Sequence, residues 1–226
     1  MTRVKICCIA SIEEALLAVR YGASAVGLVS AMPSGPGVIP EELIAEFAAV
    51  IPPGVSSFLL TSLQSAEKII EQQQRCGTNT IQICDRVTSG THAEIKRALP
   101  GIKIVQVIHV TGEESVGEAR TVSKDVDAIL LDSGNQSLPV KELGGTGRTH
   151  DWQISRLIRE AIGIPMFLAG GLNPYNVSEA ITAVGPYGVD VCSGVRTNGK
   201  LHKEKLISFM SNVVTGDALR VTGFRP

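Results

Sequence analysis

The sequence of 226 residues predicts an α/β fold, specifically a single (β/α)8 TIM barrel domain spanning residues 1–226. Short β-branched runs alternate eight times with amphipathic stretches, at about 28 residues per unit, which is close to the minimum for this barrel. The runs are almost continuously apolar, as in parallel strands that helices cover. Glycine-rich segments follow the seventh and eighth runs, where such barrels commonly bind phosphate. A doubly wound open sheet is the alternative, although no GxGxxG follows the first run.

The elements follow in order along the chain. Apolar positions within residues 12–20 recur with the i, i+3, i+4, i+7 spacing of a helix. Ser11 and Pro40 are typical of helix starts, and Gly77 and Gly185 are typical of helix ends. Strands are expected at Val4–Ile9, Ala25–Ser30, Ser57–Thr61, Thr80–Cys84, Ile102–Val110, Ala128–Asp132, Pro165–Ala169 and Val189–Cys192. Helices are expected at Ile12–Arg20, Pro40–Val50, Ala66–Gln74, His92–Leu99, Glu114–Ser123, Trp152–Ala161, Tyr175–Ala183 and Lys203–Val213.

Composition excludes several classes of protein. With 44% hydrophobic residues the chain is not disordered, and its apolar runs are far shorter than the roughly 20 residues of a membrane helix. A net charge of -1 and 4% aromatic residues argue against a nucleic-acid partner. Five cysteines without a CxxC pair, and an N-terminus unlike a signal peptide, indicate free thiols in the cytoplasm. The four histidines show no metal spacing, so we expect no metal and no cofactor, with only His109 a weak site candidate.

Two residues at predicted strand ends carry candidate acid–base chemistry. Cys7 and Cys8 end the first strand; because side chains alternate along a strand, we expect one thiol to face the barrel axis and the other the helices. If a cation is near, a thiolate at Cys7 can serve as a base. The alternative is that Cys7 is simply a small buried residue. Asp132 ends the sixth strand, where a partly desolvated carboxyl acts as a general acid or hydrogen-bonds loop amides.

The glycine-rich corners predict an anion site. Gly170 and Gly171 precede a predicted helix, and Ser193 and Gly194 follow the eighth strand. Backbone amides of two adjacent corners are expected to cradle a phosphate, although each glycine alone also suits a plain turn. The long loop from Ser133 to Thr149 carries a GGTG cluster that either binds phosphate or hinges a lid.

Five segments, in order and spanning nearly the whole chain, resemble the phosphoribosylanthranilate isomerase family. They are Val4-Lys-Ile-Cys7, Leu130-Leu-Asp132, Gly144-Gly-Thr-Gly147 with Asp151-Trp152, Leu168-Ala-Gly-Gly-Leu-Asn-Pro174 with Asn176-Val177, and Gly188-Val-Asp-Val-Cys-Ser-Gly-Val195. The resemblance implies a cofactor-free (βα)8 barrel of the tryptophan pathway. It also implies an Amadori rearrangement of N-(5-phosphoribosyl)anthranilate to 1-(2-carboxyphenylamino)-1-deoxyribulose 5-phosphate.

Carried over position by position, the resemblance assigns roles to the candidate residues. It makes Asp132 the general acid that opens the sugar ring and Cys7 the general base at C2. The substrate-binding residues that it implies are Gln82, Gly170, Gly171, Asp190, Ser193 and Gly194. The partner it implies is a small phosphosugar, bound by a monomer or a homodimer, with no nucleic acid and no membrane involved.

The chain also departs from the family pattern. Gly37 stands where the family has an Arg that pairs with the anthranilate carboxylate, and Cys8 replaces a Gly. Cys84 replaces a His, and Arg196 follows the last corner in place of a Glu. Arg196, Arg148 or a lysine of the long loop are candidates for the missing cation. Three functions are therefore open: this isomerase, a related isomerase acting on another phosphosugar, and a non-catalytic phosphometabolite-binding protein.

Overall fold

The structure, a computed structural model, describes residues 1–222 as a closed barrel of eight parallel strands, in the order β1 to β8. Strand β1 pairs with both β2 and β8, so the barrel prediction is confirmed and the open-sheet alternative is wrong. The strands are β1 Arg3–Ile6, β2 Ala25–Val29, β3 Ser56–Thr61, β4 Thr80–Ile83, β5 Lys103–His109, β6 Ala128–Asp132, β7 Met166–Leu168 and β8 Gly188–Val191.

A helix follows every strand. The helices are α1 Ile12–Arg20, α2 Glu41–Val50, α3 Ala66–Cys76, α4 His92–Ala98, α5 Glu114–Val122, α6 Trp152–Ala161, α7 Val177–Val184 and α8 Lys203–Thr222. Ser11 caps α1 by accepting from Glu14 N–H, while Gly77 and Gly185 end α3 and α7 in the left-handed conformation. A 3-10 helix, Ser193–Val195, and a short ribbon of β9 (Arg196–Thr197) and β10 (Lys200–Leu201) connect β8 to α8.

The hydrophobic core has two layers, which explains why the strands are apolar on both faces. One layer lies between barrel and helices; the other fills the barrel interior, where Phe58 and Phe167 pack edge to face at 5.9 Å between ring centroids. The interior is therefore a packed core, and open space remains at its ends.

Several boundaries differ from the sequence prediction by one or two residues, and the ends of β1 and α8 differ by more, for identifiable reasons. Strand β1 ends at Ile6 instead of Ile9, because Cys8 adopts a left-handed φ of 61°. Helix α8 continues past Val213 to Thr222, through Gly216. A Cβ at Gly216 would lie 3.0 Å from Ser178 Cα, so the glycine lets α8 pack closely on α7. Within the described residues, no helix is long and apolar enough to cross a membrane.

A buried contact fastens the N-terminal segment to the last helix. Asp217 accepts hydrogen bonds from Thr2 N–H at 2.6 Å and from the Thr2 hydroxyl at 2.7 Å. Both residues are buried, and hydrogen bonds to a charged group are stronger than neutral ones. The contact therefore holds β1 next to α8.

Replacing Asp217 with Ala should lower the free energy of unfolding by about 1.5–3 kcal/mol, because two buried donors of Thr2 lose their charged acceptor. Urea denaturation measures this loss. Asp125→Ala, at an exposed aspartate, is the matched control and should change stability by less than about 0.5 kcal/mol. An equal effect of the two substitutions would contradict this role of Asp217.

Candidate active site

A cavity opens at the carboxyl ends of the strands, where barrels of this kind place their chemistry. The space not filled by atoms, including the part open to solvent, is about 680 Å³. Seven of the eight predicted site residues line it: Cys7, Gln82, Asp132, Gly170, Gly171, Asp190 and Ser193. The other lining residues include Cys8, Met32, Ser34–Pro36, Leu143–Gly147 and Cys192.

Cys7 is held at the end of β1 beside a buried lysine. Its N–H donates to Val191 O at 2.9 Å, continuing the pairing of β1 with β8. A Cβ at Gly27 would lie 3.0 Å from both Cys7 Sγ and Lys5 Nζ, so these two atoms are no more than about 6 Å apart. Because glycine has no side chain, Gly27 leaves room for the Cys7 thiol and the Lys5 ammonium.

The lysine is charged because it is paired. Lys5 is fully buried and its Nζ lies 3.0 Å from Asp190 Oδ2 on the neighbouring strand. Burial by itself lowers the pKa of Lys5, but attraction to Asp190 and to Cys7 outweighs it and raises the pKa above its ordinary value. Burial raises the pKa of the Asp190 carboxyl, and the charge of Lys5 opposes that shift. Lys5 is not among the predicted site residues. Its sequence signal is a lysine inside an apolar strand, two residues before Cys7 and therefore on the same face.

The two adjacent thiols do not face opposite sides, contrary to the expectation from strand alternation. Cys7 and Cys8 both line the cavity. The alternation fails because Cys8 lies beyond β1 and its left-handed backbone turns the side chain back toward the same space.

Asp132 ends β6 beneath the long loop. Its Oδ1 accepts from Ser133 N–H at 2.8 Å, and a Cβ at Gly144 would lie 2.9 Å from Oδ2, so the GGTG backbone passes directly over the carboxylate. The Ser133 hydroxyl shares a 2.6 Å hydrogen bond with Thr146, which closes the base of the loop.

The same loop reaches across the cavity to the segment after β2. Ser34 hydroxyl donates to Lys141 O at 2.7 Å, and a Cβ at Gly145 would lie 2.4 Å from Pro36 Cδ. The loop therefore covers one end of the cavity as a lid that contacts the opposite wall.

The predicted phosphate corners lie side by side. Gly170 and Gly171 both have left-handed backbones, with φ of 83° and 62°, and a Cβ at Gly171 would lie 2.7 Å from Thr149 N. Ser193 lines the cavity from the 3-10 helix. Gly194 lies behind it, where a Cβ would lie 2.0 Å from Leu172 O. Gly194 thus allows the two corners to meet.

Two residues that line the cavity each carry a buried acceptor atom with no hydrogen-bond partner among the described residues. The two atoms are Gln82 Oε1 and Asp190 Oδ1. A buried unpaired acceptor costs free energy unless something donates to it, so these atoms suit ligand hydroxyl or N–H groups.

The candidate replacements for the family's Arg are all paired elsewhere. Arg196 Nη1 lies 3.0 Å from both carboxylate oxygens of Glu14. Arg148 pairs with Glu142, and Lys141 pairs with Asp85. No Lys or Arg of residues 1–222 is among those lining the cavity. At Gly37 a Cβ would lie 2.6 Å from Cys8 Cβ, so a side chain there and the Cys8 side chain exclude each other.

None of the four histidines, all within the described residues, lines the cavity. His109 Nε2 lies 3.1 Å from Cys84 O. Burial lowers the pKa of His150, which shares a 2.7 Å hydrogen bond with Ser155 Oγ. Across the described part of the chain, no group of three or more His, Cys, Asp or Glu side chains is arranged to hold a metal ion.

Comparison with known proteins identifies one enzyme family. A family model described as N-(5'-phosphoribosyl)anthranilate (PRA) isomerase matches residues 4–212. N-(5'-phosphoribosyl)anthranilate isomerase 2 of Methanosarcina mazei is 36% identical over 210 residues, covering 92% of each chain. The corresponding isomerase of Haloferax volcanii is 36% identical over 200 residues, covering 88% of this chain and 86% of its own.

Solved structures give the same result. The crystal structure of phosphoribosylanthranilate isomerase from Thermotoga maritima has a TM-score of 0.79 at 30% identity, covering 95% of this chain and 99% of that one. A phosphoribosylanthranilate isomerase in complex with reduced 1-(o-carboxyphenylamino)-1-deoxyribulose 5-phosphate has a TM-score of 0.77 at 29% identity, with the same coverage.

Fold and cavity together define a (β/α)8-barrel enzyme. The chain belongs to the N-(5'-phosphoribosyl)anthranilate isomerase family, so it is an intramolecular isomerase of tryptophan biosynthesis. The family resemblance seen in the sequence is confirmed.

Replacing Lys5 with Met should lower the free energy of unfolding by about 3–5 kcal/mol, because Asp190 stays buried without its cation. The double variant Lys5→Met/Asp190→Leu removes both charges and should regain most of that loss in urea denaturation. Lys124→Met, at an exposed lysine, is the control and should stay within about 0.5 kcal/mol. A double variant no more stable than Lys5→Met would argue against a direct ion pair.

Proposed function

We propose that this chain isomerises N-(5'-phosphoribosyl)anthranilate, with Asp132 as general acid and Cys7 as general base. The observation that carries the proposal is that both residues line one cavity, which also contains the glycine corners. The reaction needs an acid at one end of the sugar, a base at C2 and an anchor for the phosphate. These three parts all belong to this one cavity.

The first step is ring opening. The Asp132 carboxyl protonates the furanose ring oxygen, the C1–O bond breaks, and the lone pair of the substrate nitrogen forms the C1=N bond of an iminium ion. Asp132 is buried and covered by the GGTG backbone, which limits the access of water to the reactive imine.

The second step moves a proton from carbon. The Cys7 thiolate removes the proton from C2, and the electrons neutralise the iminium to give an enamine with a hydroxyl on C2. Ketonisation then places a proton on C1 and leaves the C2 carbonyl of the product. The ammonium of Lys5 lies within about 6 Å of the Cys7 sulfur, and Asp190 keeps that ammonium charged.

The phosphate and the sugar hydroxyls orient the substrate. We assign the phosphate to the amides of Gly170 and Gly171 and to Ser193, with Gly194 bringing the corners together. The unpaired Gln82 Oε1 and Asp190 Oδ1 accept hydrogen bonds from sugar hydroxyls.

The aryl ring occupies the end under the lid in this proposal. Met32 and Leu143 supply apolar contacts there. The enzyme is expected to work without a cofactor, in the cytoplasm, as a monomer or a homodimer. Free cysteines are consistent with that compartment, and a solved relative is described as dimeric.

Cys7→Ser and Asp132→Asn should each lower kcat by about 10²–10⁴-fold, the usual contribution of a positioned acid or base. The assay follows the change in anthranilate fluorescence as freshly made phosphoribosylanthranilate is consumed. Cys76→Ser, on α3, and Asp125→Asn, at the surface, are the matched controls and should retain activity because they lie outside the cavity. Full activity in either site variant would refute that residue's role.

Gln82→Met should raise KM by about 5- to 10-fold and leave kcat nearly unchanged, because its hydrogen bond to a hydroxyl is made equally in substrate and transition state. Steady-state kinetics separates the two parameters. Gln153→Met, at an exposed glutamine of α6, is the control and should not change KM. An unchanged KM in Gln82→Met would remove Gln82 from the binding site.

A further inference from the structure

A second group of reactive side chains adjoins the cavity, and the proposed isomerisation does not use it. Cys8 and Cys192 line the main cavity, and both also line a side opening together with Gly37 and Arg196. Cys192 is partly exposed, whereas Cys8 is buried. One thiol of the pair is therefore within reach of a small reagent, and the other lies behind it.

The two thiols are brought together by the closure of the barrel. Cys8 follows β1 and Cys192 follows β8, and these strands remain paired through Cys7 N–H and Val191 O. Ile6 is the register partner of Val191, so Cys192 lies opposite Cys7, on a strand end about 4.8 Å away, and next to Cys8. The left-handed backbone of Cys8 turns its side chain toward the two openings that Cys192 also lines.

Arg196 fixes the backbone at Cys8 and places a positive charge near Cys192. Its Nη2 donates to Cys7 O at 3.0 Å and to Cys8 O at 2.6 Å, while Nη1 is anchored by Glu14. The guanidinium and Cys192 line the same side opening, and the positive charge lowers the pKa of the Cys192 thiol. The backbone that carries Cys8 and the cation beside Cys192 are thus fixed by one side chain.

Of the two thiols, Cys192 has the lower pKa and Cys8 retains its proton. The hydrogen bond to Cys192 and a further one to Cys7 raise the pKa of the Cys8 thiol, and burial raises it further. The hydrogen bond from Cys8 lowers the pKa of Cys192 against the effect of burial, and Arg196 lowers it further. By contrast, burial raises the pKa of Cys76 and of Cys84 to about 12.

We propose that Cys8 and Cys192 are a reactive thiol pair that a small disulfide converts into an intrachain disulfide beside Cys7. The Cys192 thiolate attacks one sulfur of the small disulfide, which forms a mixed disulfide and releases one small thiolate. Cys8 then loses its proton to solvent and its sulfur attacks Cys192 Sγ, which forms the Cys8–Cys192 bond and releases a second thiolate. The two cysteines are oxidised, and the small disulfide is reduced to two thiols.

The disulfide should switch off the isomerase. It joins the residue after Cys7 to the residue before Ser193, so it pulls on both the proposed base and the proposed phosphate corner. A displacement of about 1 Å at either place costs a reaction up to roughly 100-fold in rate. Reduction should restore the activity.

The test is to incubate the purified full-length protein with oxidised glutathione, trap free thiols with N-ethylmaleimide and map the disulfides by mass spectrometry. Trypsin leaves Cys7 and Cys8 together on residues 6–20, so fragment ions must show Cys7 alkylated and Cys8 joined to Cys192. We expect two of the five thiols to disappear and activity to fall roughly 10- to 100-fold, with recovery in dithiothreitol.

Variants separate the two steps. Cys8→Ser should stop at a stable glutathione adduct on Cys192, whereas Cys192→Ser should lose no thiol and keep its own starting activity. Cys76→Ala, the matched control on α3, should oxidise as the native protein does. The proposal is overturned if no thiol is lost, if the bond includes Cys7, or if the native protein stops at the mixed disulfide. This mapping does not depend on turnover, so it stands apart from the test of the isomerase.

Discussion

The ion pair between Lys5 and Asp190 couples the closure of the barrel to the chemistry of its cavity. It joins the first strand to the last, where β1 and β8 meet, and it is inaccessible to water on the Lys5 side. A buried ammonium is tolerated only with a partner, so Lys5 adopts its position only when Asp190 arrives from the far end of the chain. The same ammonium lies within about 6 Å of the Cys7 sulfur, so the surroundings of the proposed base are complete only when the barrel is closed.

The remaining parts of the site follow from strand direction. All eight strands end on the same face, so Asp132 from β6 and the glycine corners after β7 and β8 converge above Cys7 although they are far apart in sequence. The lid closes the same end of the barrel, because it covers Asp132 and then contacts the segment after β2. Around Cys8 the cavity wall requires a glycine at position 37, since the Cys8 side chain and any side chain there exclude each other.

Much of this was predictable from the sequence because the signals are local. Helices α1 and α6 end where the periodicity and capping residues indicate, and β6 spans the predicted Ala128–Asp132. The direction of Cys8 was not predictable, because strand alternation assumes a strand that continues past Ile6. Lys5 and the lid contacts of Ser34 were missed because their partners lie more than 100 residues away, and no local pattern encodes such pairings.

A crystal structure of the protein with reduced 1-(o-carboxyphenylamino)-1-deoxyribulose 5-phosphate would show which residues contact the sugar and the phosphate. We expect the phosphate at Gly170, Gly171 and Ser193, and Cys7 Sγ at about 3–4 Å from C2 of the sugar, a near-attack distance. We also expect Asp132 at hydrogen-bonding distance from the oxygen released on ring opening. A phosphate bound elsewhere, or Cys7 and Asp132 both out of reach of the sugar, would contradict the assignment of acid, base and anchor.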